Sequence, residues 1–155
     1  MKETSLLPLL LIAAAAAPAA EPLRLQTRVL AETRTAAPDG TVRTALAAPS
    51  RVGPGDRIVV QVAYRNAGTQ PIAGLVIANP LPRGLAYRAP RAPSPAPEVS
   101  VDGRSFGALP DLRVAVPGGG ERAAGADDVT HVRWRVSNPV AAGAGGEFAF
   151  QAVVR

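Results

Sequence analysis

The chain has 155 residues and a mass of 15.9 kDa, enough for one domain and not comfortably two. Its 16 prolines and 15 glycines, about one residue in five, argue against an all-helical bundle, while 47% hydrophobic residues is too many for a disordered chain. The absence of cysteine and the single histidine exclude disulfides, thiol catalysis, a lipidated cysteine anchor, and thiolate or multi-histidine metal sites, and the net charge of +5 is scattered without the clustered basic run of a nucleic-acid binder.

Residues 1–19 read MKETSLLPLLLIAAAAAPA. Lys2 gives a positive start, Leu6 to Ala17 is an apolar run, and Ala17-Pro18-Ala19 supplies the small residues that a signal peptidase requires. The run is too short for a membrane-spanning helix, which needs about 20 apolar residues. The segment is expected to be a signal peptide cleaved after Ala19. The mature chain is then exported, periplasmic or secreted, with no membrane span. Lys2 is the only lysine, so the mature chain has neither a lysine nor a cysteine for a side-chain cross-link.

Apolar and polar residues alternate with period two nearly everywhere beyond this point. In Leu23 to Thr35 the odd positions are Leu23, Leu25, Thr27, Val29 and Ala31, and the even ones Arg24, Gln26, Arg28, Leu30, Glu32 and Arg34. Pro38-Asp39-Gly40 is a turn, and Thr41 to Ala48 returns with Val42, Thr44 and Leu46 on one face. Val52-Gly53-Pro54-Gly55-Asp56 is a tight turn. It precedes the clearest strand, Arg57 to Asn66, in which Ile58, Val60, Val62 and Tyr64 face one way. A short strand is predicted at Leu75 to Asn79, and an extended segment at Leu85 to Arg88 after the Leu81-Pro82-Arg83-Gly84 turn. Ala89 to Pro97, with four prolines, reads as a stiff polyproline-like connection between two sheets. A hairpin follows over Glu98 to Phe106, turning at Asp102-Gly103, and then a strand at Leu112 to Val116. Pro117 to Asp128 reads as a glycine-rich loop. Val129 to Val136 is a strand with Val132, Trp134 and Val136 inward and His131, Arg133 and Arg135 outward. Glu147 to Val154 is the last strand, with Phe148, Phe150, Ala152 and Val154 on one face. Eight or nine short strands at this spacing make a β-sandwich.

Four stretches fall in one order: Val52-Gly53-Pro54-Gly55-Asp56; Val62-Ala63-Tyr64-Arg65-Asn66-Ala67-Gly68; Leu81-Pro82-Arg83-Gly84-Leu85-Ala86-Tyr87; and Trp134 followed by a Gly-rich turn and a terminal strand. Over residues 50–155 this series resembles the Ig-like conserved-repeat domain of bacterial and archaeal surface proteins, long catalogued as a domain of unknown function. The resemblance implies a non-catalytic sandwich and brings no active-site residue. The family is often met as tandem copies on long anchored proteins, whereas one copy, no anchor and an added hairpin are expected here, which argues against a role as a long stalk. Each motif residue also has a local cause: Gly53 and Gly55 allow a tight turn, and Asp56 can accept backbone N–H bonds within it. Asn66 and Gly68 suit a strand exit needing positive φ, Leu81, Pro82 and Gly84 a turn, and Trp134 an anchor between sheets.

Candidate chemistry is sparse. His131 lies on the polar face of its strand, and its acidic partner would have to be Asp127 or Asp128 with a distant serine. Asp102, Asp111, Asp127 and Asp128 are candidates for a hard cation, but without the spacing of a calcium loop, and turn formation is the better reading. Gly118-Gly119-Gly120 lacks the lysine and helix of a phosphate loop. The expectation is therefore an all-β protein: a single Ig-like antiparallel β-sandwich with an extra N-terminal hairpin. Residues 1–19 are the signal peptide, 20–49 the first strand and hairpin, and 50–155 the core. It is expected to be no enzyme and to need no cofactor, with a structural or binding role in the bacterial cell envelope. The partner would be an envelope protein or an acidic surface glycan rather than nucleic acid, and self-association is possible. Two alternatives are a subunit of an extracellular assembly joined by strand addition and, more remotely, a small envelope hydrolase.

Overall fold

Residues 22–155 are described by a computed structural model, so the expected signal peptide at 1–19 lies outside the described residues. Ten strands follow in chain order. They are β1 (Leu23–Ala36), β2 (Val42–Ala47), β3 (Arg57–Asn66), β4 (Val76–Pro80), β5 (Leu85–Pro90), β6 (Glu98–Ser100), β7 (Arg113–Ala115), β8 (Glu121–Ala123), β9 (His131–Arg135) and β10 (Gly145–Val154). The only helical turns among the described residues are short 3-10 pieces at Leu109–Asp111 and Ala126–Asp128. The period-two patterning therefore forms strands throughout.

The strands form an all-β, antiparallel sandwich. The larger sheet has the order β2-β1-β3-β10-β5, the smaller β4-β9-β6, and β7 and β8 form a separate hairpin. The alternation in β3 and β10 explains which face is buried. Ile58, Val60 and Val62 of β3 and Phe148, Phe150 and Ala152 of β10 form the inner face of the larger sheet. Ile77, Val99, Val132 and Trp134 meet them from the smaller sheet. Trp134 is only 2% exposed. Its ring lies 5.0 Å from Phe148, nearly parallel at 6°, and 6.1 Å from Phe150. Tyr64 extends the stack beyond Phe148 at 5.5 Å, and Tyr87 beyond Phe150 at 5.9 Å. The indole N–H is satisfied by the Pro95 carbonyl at 3.1 Å.

That last bond belongs to the proline-rich connection. It is tied down along its length: the Ser94 hydroxyl accepts the Ala149 N–H at 2.8 Å, and Pro97 is buried. The chain thereby crosses from the edge of the larger sheet to β6 in the smaller one.

Fully buried Asn66 closes the other end of β3. Its amide donates to the carbonyls of Gln70 and Val140 at 2.7 and 2.9 Å, and its oxygen accepts the Gly68 N–H at 2.9 Å. One side chain thus fixes two loops, and every polar atom of its amide group is satisfied. Neither Asn66 nor Gly68 has positive φ, contrary to the expectation for this strand exit. Glycine is required at 68 for close approach instead, since a Cβ there would stand 2.7 Å from Pro22.

β1 is one continuous strand of 14 residues. Leu23–Ala31 pair with β3 and Ala31–Ala36 with β2. Ala31 opposes both Ala47 and Ile58, so β2 and β3 lie on opposite edges of β1. The hairpin is largely exposed, with only Leu46 of β2 half-buried. The segment expected as a glycine-rich loop, 117–128, contains β8. Its glycines form the turn of the β7–β8 hairpin, with the Val116 N–H bonded to the Gly120 carbonyl. The strand expected over Leu112 to Val116 contains β7, whereas β8, three residues among glycines and alanines, shows no alternation.

Trp134→Ala removes the centre of the aromatic stack and is expected to cost about 3–5 kcal/mol, as other buried aromatic truncations do. His131→Ala on the opposite face of the same strand is expected to cost under about 1 kcal/mol. Chemical denaturation of both variants checks the assignment of faces; equal losses would contradict it.

Candidate functional site

The outer face of the larger sheet carries arginines that no acidic side chain compensates among the described residues. Antiparallel register sets Arg24 of β1 directly opposite Arg65 of β3, and Arg28 opposite Gln61. Neither Arg24 nor Arg65 has a hydrogen bond or ion pair from its side chain among the described residues. Like charges directly opposite on adjacent strands destabilise a sheet. Arg28 donates to Gln26 at 3.0 Å, and Glu147 of β10 is engaged by Gln61 at 2.9 Å rather than by an arginine. Beside the arginine pair, a groove of about 340 Å³ is lined by Arg24, Arg65, Asn66, Ala67, Gly68 and Gly143.

Toward the other end of the sheet, a cavity of about 210 Å³ is lined by Glu32, Arg57, Ile58, Arg88, Gln151, Ala152 and Val153. Its only carboxylate, Glu32, is paired with Arg91. Arg88 pairs with Asp127 at 2.8 Å, and Arg57 has no side-chain partner among the described residues. No nucleophile lines the cavity. With Arg57 and Arg88 in its lining, such an arrangement can hold an anion.

The His131 region is a second cluster, on the outer face of the smaller sheet. Its ring Nδ1 lies 2.9 Å from the Thr130 hydroxyl, and Phe106 meets the ring edge-on at 6.4 Å. The guanidinium of Arg133 lies 4.1 Å from the centre of the same Phe106 ring and donates to Glu98 at 2.7 Å. That bond holds the Glu98 carboxyl below its usual range. Ser100 opposes His131 in register, yet its hydroxyl does not address the ring. It donates to Asp102 at 2.9 Å and accepts the N–H of Gly103, also at 2.9 Å. Asp102 in turn accepts the N–H groups of Arg104 and Ser105, both at 2.8 Å, and these bonds hold its carboxyl far below the ordinary range. Serine, aspartate and histidine thus lie close together here, but the first two are bound into a turn.

Asp127 and Asp128, the acids considered as partners for His131, point elsewhere. Asp127 pairs with Arg88. Asp128 is held in a fork by Arg122 at 2.6 and 2.7 Å and accepts the Gly125 N–H at 2.8 Å, which lowers its pKa to about 2. No three carboxylate or imidazole groups converge as a metal site among the described residues.

The motif residues occupy turns and core. Gly55, at φ 91°, takes the turn position that favours glycine, Asp56 accepts the Gly53 N–H at 2.8 Å, and Pro54 lies exposed between them. This turn is tied to the end of β10, since the Gly55 N–H donates to the Val154 carbonyl. Leu81 packs on the core, and the Leu85 N–H donates to the Pro82 carbonyl across Arg83-Gly84. The opposed Arg24–Arg65 pair and the packing of Phe106 had no sequence signal. Both arise from neighbours distant in the chain, and strand order is not written in alternation.

Neither a family model, nor a curated protein, nor a solved structure matches the chain.

Two outcomes test this geometry. The carboxyls of Glu98, Asp102 and Asp128 have lowered pKa in the folded state. Their contribution is complete above their unfolded values, about 4, and is lost as pH falls through the folded ones. The melting midpoint should hold steady from pH 7 to 5 and fall between about pH 4 and 2. Asp128→Asn should flatten part of that fall. Separately, Gly103 has φ 75°, and a Cβ there would stand 2.8 Å from His131 Cε1. Gly103→Ala is expected to cost about 1–3 kcal/mol. Adding His131→Ala should relieve the steric part of this loss and leave the backbone part, which a double-mutant cycle resolves.

Proposed function

We propose that this chain is a non-enzymatic, exported Ig-like domain of the bacterial cell envelope, and that it binds an acidic envelope component through the outer face of its larger sheet. The observation that carries the reading is the opposition of Arg24 and Arg65. An intervening anion turns that repulsion into two charge-assisted contacts, and arginine's planar fork suits carboxylate, sulfate or phosphate groups. The groove beside the pair gives such a group access. The resemblance to Ig-like conserved-repeat domains and the signal-like segment at 1–19 support the compartment. The engagement of the acidic side chains in turns and ion pairs supports a role without catalysis. The partner is an acidic surface glycan or an acidic patch on an envelope protein. A second role, assembly by strand addition, is favoured by the incompletely paired strand β1.

Retention of the protein on an immobilised anionic polysaccharide, compared with a neutral one of similar length, tests binding. Arg24→Ala combined with Arg65→Ala should weaken retention about a hundredfold, the order expected for losing two charge-assisted contacts of about 1.5 kcal/mol each. Salt should weaken the wild type more than the variant. Equal retention by both matrices, or by both proteins, would overturn the reading.

A further inference from the structure

β1 keeps a free strand edge. Over Leu23–Leu30 it pairs with β3 on one side, and among the described residues no strand pairs its other side, because β2 joins only at Ala31. Such an edge presents a row of unpaired N–H and C=O groups to any extended chain. The side chains beside it show the same incompleteness. Leu25 and Val29 stand in the inner face of the sheet, directly opposite Tyr64 and Val60. Yet they are 52% and 36% exposed, whereas Val60 is fully buried. The smaller sheet reaches β1 at the Thr27–Asn79 hydrogen bond of 3.2 Å and leaves both apolar side chains open.

We propose that the occupant of this edge is β1 of a second copy, paired antiparallel about a twofold axis through Thr27. The proposal rests on the strand-addition reading and names its partner. The charges of the strand select the register. With the axis at Thr27, Leu25 faces the second copy's Val29, Gln26 faces its Arg28, and Arg24 faces its Leu30. The apolar residues meet on the inner face, and no arginine opposes an arginine. An axis at Gln26 sets Arg24 against Arg28, and an axis at Arg28 sets that residue against itself; both are penalised by like-charge opposition. An axis at Leu25 leaves Val29 facing a position before the strand begins. An axis at Val29 drives the second copy into the edge already taken by β2 at Ala31. β2 therefore acts as a stop that limits the pairing to the free stretch.

The absence of cysteine makes the test clean. Residues directly opposed across an antiparallel pair have Cα atoms about 4.5–5.5 Å apart, within disulfide range. Under mild oxidation Thr27→Cys should form a covalent dimer with itself at least tenfold faster than Ser50→Cys, an exposed control. Leu25→Cys and Val29→Cys should cross-link poorly alone and readily when mixed. Light scattering should show the wild-type chain dimerising with concentration, and Val29→Arg should remain monomeric with an unchanged melting midpoint. Thr27→Cys reacting no faster than the control, or Leu25→Cys reacting alone as well as when mixed, would overturn the proposal. A labelled synthetic peptide of residues 23–31 separates its failure from that of the broader reading. A monomeric protein that binds this peptide has an edge open to strands but does not pair with itself, which overturns the proposal alone. A monomeric protein that ignores it overturns both.

Discussion

The stacking of Trp134 on Phe148 and Phe150 is the contact on which the sandwich depends. The chain has three phenylalanines, two tyrosines and one tryptophan. All but Phe106 belong to one connected stack that runs Tyr64, Phe148, Trp134, Phe150, Tyr87. The remaining inward residues are mainly valine, isoleucine and alanine, which are too short to span two sheets about 10 Å apart without large partners. The aromatic stack therefore sets where the sheets are in contact. It lies over β3 and β10, and the core is driest there, with Val60 and Phe150 at 0% exposure. Away from the stack, toward β1, the same inward positions hold Leu25 and Val29 with no large side chain above them. The incompleteness of the β1 side follows from how few aromatic residues there are and where they stand.

Electrostatics follow a parallel logic. Lys and Arg number 17 against 12 Asp and Glu. Many of the acids act locally. Asp39, Asp56 and Asp102 accept backbone N–H groups in turns, and Glu32, Glu98, Asp127 and Asp128 are paired with arginines. Exposed pairs of this kind add little stability each, yet they fix loop geometry and leave few carboxylates for acid–base work. The uncompensated charge is then arginine, and on the larger sheet it is concentrated where β1 and β3 run side by side.

Much of this was legible in the residues themselves. The alternation in Arg57–Asn66 and Glu147–Val154 named the inward faces of β3 and β10, because a half-buried strand cannot conceal a period of two. The alternation around Trp134 did the same for β9. The Asp102-Gly103 and Gly55-Asp56 turns were visible because their chemistry is local. What stayed hidden depended on contacts between distant segments. The strand expected over Leu112 to Val116 contains β7, but β8 is too short to show a pattern, so it and the glycine turn before it read as a loop. Gly68 was assigned to a backbone conformation, when the true constraint is the approach of Pro22. The Ser100–Asp102 turn lies beside His131 only because β6 pairs with β9, a pairing set by tertiary packing. The Arg24–Arg65 opposition requires knowing that the first strand lies next to β3 and in which register.

The free edge of β1 and the arginine face are not independent, because they share a strand. The odd residues of β1, Leu25 and Val29, point to the inner face, and the even ones, Arg24 and Arg28, point to the outer face. A twofold axis perpendicular to the sheet keeps each face on its own side. Pairing two copies at β1 would therefore merge two inner faces, covering Leu25 and Val29, and would also merge two outer faces into one arginine-bearing surface. The Arg24–Arg65 pair of each copy would lie beside the other copy's Leu30–Val59 row, six residues along the strand from the other pair, about 20 Å away. Two anion sites on one rigid surface bind a polymer of repeating acidic units far more tightly than either alone, because the second contact becomes intramolecular. Joining strands at β1 would supply multivalency that repeat proteins obtain by repeating a domain along one polypeptide. The alternation of the first strand thus couples assembly to binding: the residues that would close the edge and the residues that would meet the ligand are successive positions in the same eight.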